Sequence, residues 1–237
     1  MGIPAVKPKN KTGGARMRKF NIKNLSAVFI FSLLLFQYYG CGSNFKKKAV
    51  TETTFSCDPE ADRALKEMEF EKSIRLHMDF IEKNPENGLP YYHMGYIYSR
   101  LGDHEREIDY YRKAVERGYL KSGILFNLGM AYGEVGKFDE CIRTFKQAID
   151  LEPGKQDNHF GLALAYRKMS RNKEAENEFK KVIEINPENT EAMYLLGELY
   201  LDTGEKKKAE NQLESILKVD PESEAALDLK NMLLRYK

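Results

Sequence analysis

Few residues in this chain are spaced for chemistry. The four histidines, His77, His93, His104 and His159, show no ligand spacing. Cys41, Cys57 and Cys141 are an odd count with no CxxC pair, so they build neither a disulfide framework nor a zinc ribbon. The chain contains no GxxxxGK[ST], no HExxH, no GxSxG and no GxGxxG. A phosphate-cradling loop, a metalloprotease helix, a nucleophile elbow and a dinucleotide fingerprint are all missing. No catalytic residue, cofactor or metal is expected, and the chain does not read as an enzyme. Cys41 is different, because of what precedes it.

Residues 25–36 form an apolar run of 12, and Arg18, Lys19 and Lys23 stand just before it. A basic stretch followed by an apolar core of this length is the anatomy of an export signal. It is short for a membrane-spanning helix, which needs about 20 apolar residues. Met17 offers a conventional start, Met-Arg-Lys-Phe, so residues 1–16 are expected to lie upstream of the true start codon. Gly2 does not signal myristoylation, since Val6 stands where Ser or Thr is required.

The segment Tyr38-Tyr39-Gly40-Cys41-Gly42-Ser43 follows the run. It resembles the lipobox of bacterial lipoproteins, with Gly40 and Cys41 matching and Tyr38 and Tyr39 bulkier than that family prefers. The resemblance implies that Cys41 receives a diacylglycerol and becomes the mature N-terminus. Residues 1–40 are then a signal peptide or N-terminal anchor, and 41–53 a polar tether. The expected location is the cell envelope, facing the periplasm or exterior, membrane-held by lipid or by an uncleaved anchor. A cleaved, soluble export product is the third alternative.

Charge separates this front from the rest. The first 51 residues carry ten basic side chains and no acidic one. The remaining 28 basic residues face 36 acidic ones, a net charge of −8. Nucleic-acid binding needs a clustered basic face, so no nucleic-acid partner is expected.

What remains is periodic. Tyr98, Tyr132, Tyr166 and Tyr200 are spaced by 34. Small residues keep the same step at Ala61, Gly95, Gly129, Ala163 and Gly197. So do Gly102, Gly136, Ser170 and Gly204, the bulky set Tyr111, Phe145, Phe179 and Leu213, and Pro85, Pro153, Pro187 and Pro221. The small residue and the tyrosine three later share one face of a first helix. The glycine column takes the left-handed cap that stops it. The bulky column sits on a second helix that packs back, and proline opens the next unit. His77 and His159 fall in packing columns and read as structural. Cys141 falls in the small column of a second helix and reads as a buried, inert thiol.

Length, order and columns resemble the tetratricopeptide repeat (TPR), notably in Leu128-Gly129-Met130-Ala131-Tyr132 and Leu196-Gly197-Glu198-Leu199-Tyr200. The resemblance implies an all-α, right-handed α-α superhelix, a solenoid of five TPR helix pairs. The repeats are 54–87, 88–121, 122–155, 156–189 and 190–223, and 224–237 form a capping helix. The first repeat departs most, with Ala64, Met68 and His77 in place of tyrosine, glycine and the aromatic. Glu107 replaces a small residue in the second repeat, where looser packing is expected.

First helices of such arrays line a concave face. Beside the core stripe run Tyr92, Phe126, Phe160 and Tyr194, and one turn on follow Tyr96, Met130 and Leu164. This ladder suits an extended or helical peptide. The other reading is that the rings fill contacts between neighbouring first helices. The expected function is a non-catalytic protein-binding scaffold, exported and membrane-tethered, serving envelope-complex assembly. The alternatives are a soluble TPR adaptor and an accessory subunit that binds a glycan.

Overall fold

The architecture follows from how differently alternate helices distribute their apolar residues. In the computed structural model, which describes residues 57–235, eleven α-helices and no strand are found among the described residues. They are α1 (Pro59–Lys66), α2 (Phe70–Lys83), α3 (Gly88–Leu101), α4 (His104–Glu116), α5 (Ser122–Glu134), α6 (Phe138–Leu151), α7 (Gln156–Lys168), α8 (Asn172–Ile185), α9 (Thr190–Asp202), α10 (Lys206–Val219) and α11 (Glu224–Arg235). Residues 1–40, the tether 41–53 and Cys41 lie outside the described residues, as do 236 and 237. The first ten helices form five antiparallel pairs, each packed on the next. The first helices α3, α5 and α9 are apolar around most of their circumference, and α3 buries nine of its 14 residues. Second helices are amphipathic, and α4 buries four of 13. A helix apolar all round must be enclosed. Accordingly α5 touches α4, α6 and α7, the last being the first helix of the following pair.

The turn inside each pair is the same device repeated. Gly102, Gly136 and Gly204 have φ of 71°, 73° and 81°, and the non-glycine members Met68 and Ser170 adopt φ of 60° and 56°. The residue after each donates its N–H to a first-helix carbonyl: Asp103 to Tyr98, Lys137 to Tyr132, Arg171 to Tyr166 and Glu205 to Tyr200, at 2.7–3.0 Å. In the first pair Glu69 bonds Ala64 at 2.9 Å. These are Schellman caps, so the tyrosine column supplies the carbonyl that closes each turn. Four helix starts among the described residues carry a side-chain cap as well. Asp58 Oδ1 accepts from the backbone N–H groups of Glu60 and Ala61, and Asn189 Oδ1 accepts from Ala192.

Close approach of the helices rests on missing side chains. A Cβ built on Gly95 would meet the Tyr111 ring at 2.4 Å, and one on Gly129 the Phe145 ring at 3.0 Å. Gly161 of the next pair meets the same Phe145 ring at 2.4 Å, so this fully buried ring is held between glycines of two first helices. At the far end α11 takes over, seating Leu229 against Gly197 and burying Ala226, Leu229 and Leu233. Glu107 is also buried, with His104 Nδ1 2.8 Å from its carboxylate; burial raises its pKa and the histidine partly offsets this.

Two substitutions with opposite expected signs test this packing. Gly161→Ala should lower stability by about 1–3 kcal/mol, since the buried ring has nowhere to move. Gly123→Ala, which meets nothing within 4 Å, should raise it by up to about 1 kcal/mol through backbone entropy. Thermal unfolding reads both, and a neutral Gly161→Ala would mean the ring seat is not tight. Separately, Met68→Gly removes a half-exposed side chain from a left-handed position and should stabilise by about 1 kcal/mol in urea unfolding. An unchanged midpoint would count against that cap.

Candidate functional site

The seven stripe residues come from four first helices: Tyr92 and Tyr96 from α3, Phe126 and Met130 from α5, Phe160 and Leu164 from α7, and Tyr194 from α9. All seven are half-buried. The inner sides of Tyr92, Phe126 and Phe160 rest on the second-helix rings of their own pairs. Ring centroids are 5.8 Å apart for Tyr92 and Tyr111, 5.8 Å for Phe126 and Phe145, and 5.9 Å for Phe160 and Phe179, the two phenylalanine pairs edge-to-face. Tyr92 also lies 5.2 Å from Tyr119, and burial, first of all, raises its phenol pKa. In the last pair Leu213 replaces the supporting ring. Tyr194 instead donates its hydroxyl to Glu198 Oε1 at 3.0 Å and meets Met232 Sδ of α11 at 3.9 Å. The stripe is thus part packing and part surface: its rings are fixed from behind and present their remaining faces outward.

Some of the charge at its edge is paired across helices. Arg167 of α7 reaches across to α9, 3.0 Å from Glu198 and 3.9 Å from Asp202. Arg100 and Glu134 are exposed. A groove of about 530 Å³ opens elsewhere, lined by residues such as Ile81, Tyr91, Tyr110 and Arg117. There Arg117 stacks 4.2 Å over Tyr91 and donates to the Pro85 carbonyl at 2.7 Å, so the groove is a packing seam between α2 and α4.

Among the reactive residue types, two behave as their columns imply. Cys141 is buried, and burial pushes its thiol up to about 12. His159 has Nδ1 2.7 Å from Glu178 Oε2 and Nε2 3.0 Å from the Pro153 carbonyl, a satisfied structural histidine.

Two histidines that show no ligand spacing along the chain meet in the structure. His77 of α2 and His93 of α3 are 16 residues apart, yet His77 Nε2 lies 3.0 Å from His93 Nδ1. Asp62 Oδ1 of α1 lies 3.0 Å from His93 Nδ1 and 3.5 Å from His77 Nε2. Neither approach gives Asp62 Oδ1 a partner in hydrogen-bond geometry, and His93 Nε2 is likewise buried without one. Cys57, just before α1, completes the group: one donor atom of each residue lies within 4.8 Å of the other three. Both histidines and Cys57 are buried, and Asp62 is half-buried. Burial pushes the Cys57 thiol up to about 12. Burial also opposes the Asp62 carboxylate, but the two imidazoles more than offset it and hold its pKa well below the usual range. A signal for this cluster was present, since a histidine occupies the ring column of the first repeat alone. Its partners come from three helices and no local spacing links them.

Sequence profiles described as tetratricopeptide repeat match residues 90–117, 122–155 and 167–233, together more than half of the chain. No curated protein sequence matches it. Among solved structures it is similar to YrrB, described as "a TPR protein with an unusual peptide-binding site", at TM-score 0.67 and 20% identity, covering 78% of this chain and 97% of that one. It is also similar to MamA (TM-score 0.63, 21% identity, 74% of this chain and 97% of that one). PilF of Pseudomonas aeruginosa follows at TM-score 0.61 and 16% identity, covering 74% and 80%. At these identities the likeness concerns the fold.

Proposed function

This chain belongs to the tetratricopeptide-repeat family, and from that premise we propose that its first helices bind an extended or helical segment of a partner protein. The family and fold are generally those of non-catalytic, protein-binding scaffolds. The observation that carries the finer reading is the stripe from Tyr92 to Tyr194, half-buried in four successive repeats. Aromatic side chains held from behind lose little further entropy on binding, which is what binding hot spots require. One structural relative is described by its peptide-binding site, which is consistent with this use of the fold. Tyr92, Tyr96, Phe126, Met130, Phe160, Leu164 and Tyr194 would be the partner-contacting residues. We further propose that residues 1–53 export the repeats and hold them at an envelope membrane through a lipid on Cys41, where the scaffold serves assembly of envelope complexes.

A photo-crosslinking amino acid placed at Met130 or Leu164 should capture a partner in the native host. The same group at Lys180 or Glu214, exposed on second helices, should not. Phe126→Ala combined with Phe160→Ala should weaken binding of the captured partner by more than about tenfold with helical content retained. Equal crosslinking from both sets of positions, or unchanged affinity, would sink the groove assignment.

The anchor is tested by intact mass and fractionation of the wild type beside Cys41→Ser. The wild type should lose residues 1–40, gain lipid mass and sit in the membrane, and the variant should do neither. Retention of the N-terminus by both proteins in the membrane would identify a plain anchor. Two soluble proteins would remove the localisation altogether.

A further inference from the structure

The end of the solenoid that α11 does not cover is the weakest in apolar terms. The helix α1 has eight residues and buries only Ala61 and Ala64. The helix α2 buries Ser73 and His77 and no large apolar side chain. The core cluster at this end consists of Met94, Ile97 and Tyr98, all from α3, with Leu65, Phe70, Ile74 and Ile81 only partly buried against it. Terminal repeats need a device that seals them, and here the space between α1, α2 and α3 is filled by Cys57, Asp62, His77 and His93.

The 34-residue register shows what these places do elsewhere. One repeat on, they are Tyr91, Tyr96, Tyr111 and Asn127; two repeats on, Leu125, Met130, Phe145 and Gly161. Positions that pack mostly apolar side chains in later repeats carry a thiol, a carboxylate and two imidazoles in the first. These are the donor types that bind borderline divalent metals.

The geometry points to a metal site: we propose that Cys57, Asp62, His77 and His93 bind one divalent ion of the zinc class, which clamps the first repeat onto the second. A tetrahedral zinc with arms of 2.0–2.3 Å has ligand-to-ligand edges of about 3.3–3.8 Å. The three edges among Asp62, His77 and His93 are 3.0, 3.0 and 3.5 Å, so two of them must open by a few tenths of an ångström to admit the ion, and Cys57 falls within 4.8 Å of the rest. The outer contacts orient the donors. His77 Nδ1 lies 2.8 Å from the Ser73 carbonyl, so it carries the proton there and Nε2 turns a lone pair toward His93 and Asp62. Ser73 Oγ in turn donates to the Ala61 carbonyl of α1 at 3.1 Å, locking α2 to the helix that supplies Asp62. Without a cation the two inward nitrogens share one hydrogen bond, and Asp62 Oδ1 is left a buried oxygen with no partner in hydrogen-bond geometry. A divalent ion neutralises that carboxylate and replaces the single hydrogen bond between the two inward nitrogens with a bond to each. With four protein donors and no open position, the site is of the structural kind.

The test uses the full-length chain, purified without a histidine tag or chelator. Elemental analysis should find about one zinc-class ion per chain. After stripping, cobalt(II) should bind with one-to-one stoichiometry and give tetrahedral d–d bands with a thiolate-to-cobalt charge-transfer band. Zinc should displace both and raise the unfolding temperature by several degrees. Cys57→Ser should lose the charge-transfer band, and His93→Gln should lower cobalt affinity by at least about tenfold. Less than one tightly held ion per chain, a cobalt spectrum without the thiolate band, or a band that survives Cys57→Ser would overturn the assignment in favour of a metal-free polar cluster. Should either variant fail to fold, the stoichiometry and spectrum of the wild type decide by themselves.

Discussion

A second-helix ring lying against a first helix that has no side chain at that point is the contact on which the second and third pairs depend. Tyr111 over Gly95 and Phe145 over Gly129 are the plain cases. Removing the Cβ lets the two backbones approach closely enough to bury a whole ring, and burying a ring is the largest apolar gain available to a unit of this size. The Phe145 ring does this twice, because Gly161 of the following repeat receives its other side. One contact therefore holds a pair together and sets how the next pair docks. The Schellman turns belong to the same constraint, since the angle at which the second helix returns decides whether its ring reaches the glycine.

A structure built from nearest-neighbour contacts has two ends that lack a neighbour, and this chain treats them differently. At the C-terminal end α11 lends Leu229 to Gly197 and Met232 to Tyr194, so the last repeat meets something like the start of another. At the N-terminal end of the described residues the ring is replaced by His77, and polar donors occupy the places of apolar ones. Polar groups cost free energy on burial unless something satisfies them. The same reasoning accounts for Glu107, whose carboxylate is buried only in company with His104.

The aromatic stripe packs inward and stays partly accessible. Tyr92, Phe126 and Phe160 touch the rings beneath them and remain half-exposed. First helices are enclosed on several sides by their own pair and the next, so an additional apolar row can only face outward. Solenoids generate such rows in register because each repeat presents the same position at the same angle.

The period of 34 was enough, from the residues alone, to give the helix pairs, the turns between them and the facing of Tyr111 to Gly95 and Phe145 to Gly129. Each of these is a local property or one repeated at fixed separation: a glycine that takes positive φ, a proline that ends a helix, a small residue facing a large one. The left-handed φ of Met68 and Ser170 could be read the same way, from the column and against the residue type. The depth of the stripe could not, because half-burial depends on how far neighbouring helices close over it. Nor could the meeting of His77, His93, Asp62 and Cys57. Their separations along the chain carry no ligand pattern, and only the packing of α1, α2 and α3 brings their donor atoms within 4.8 Å of one another.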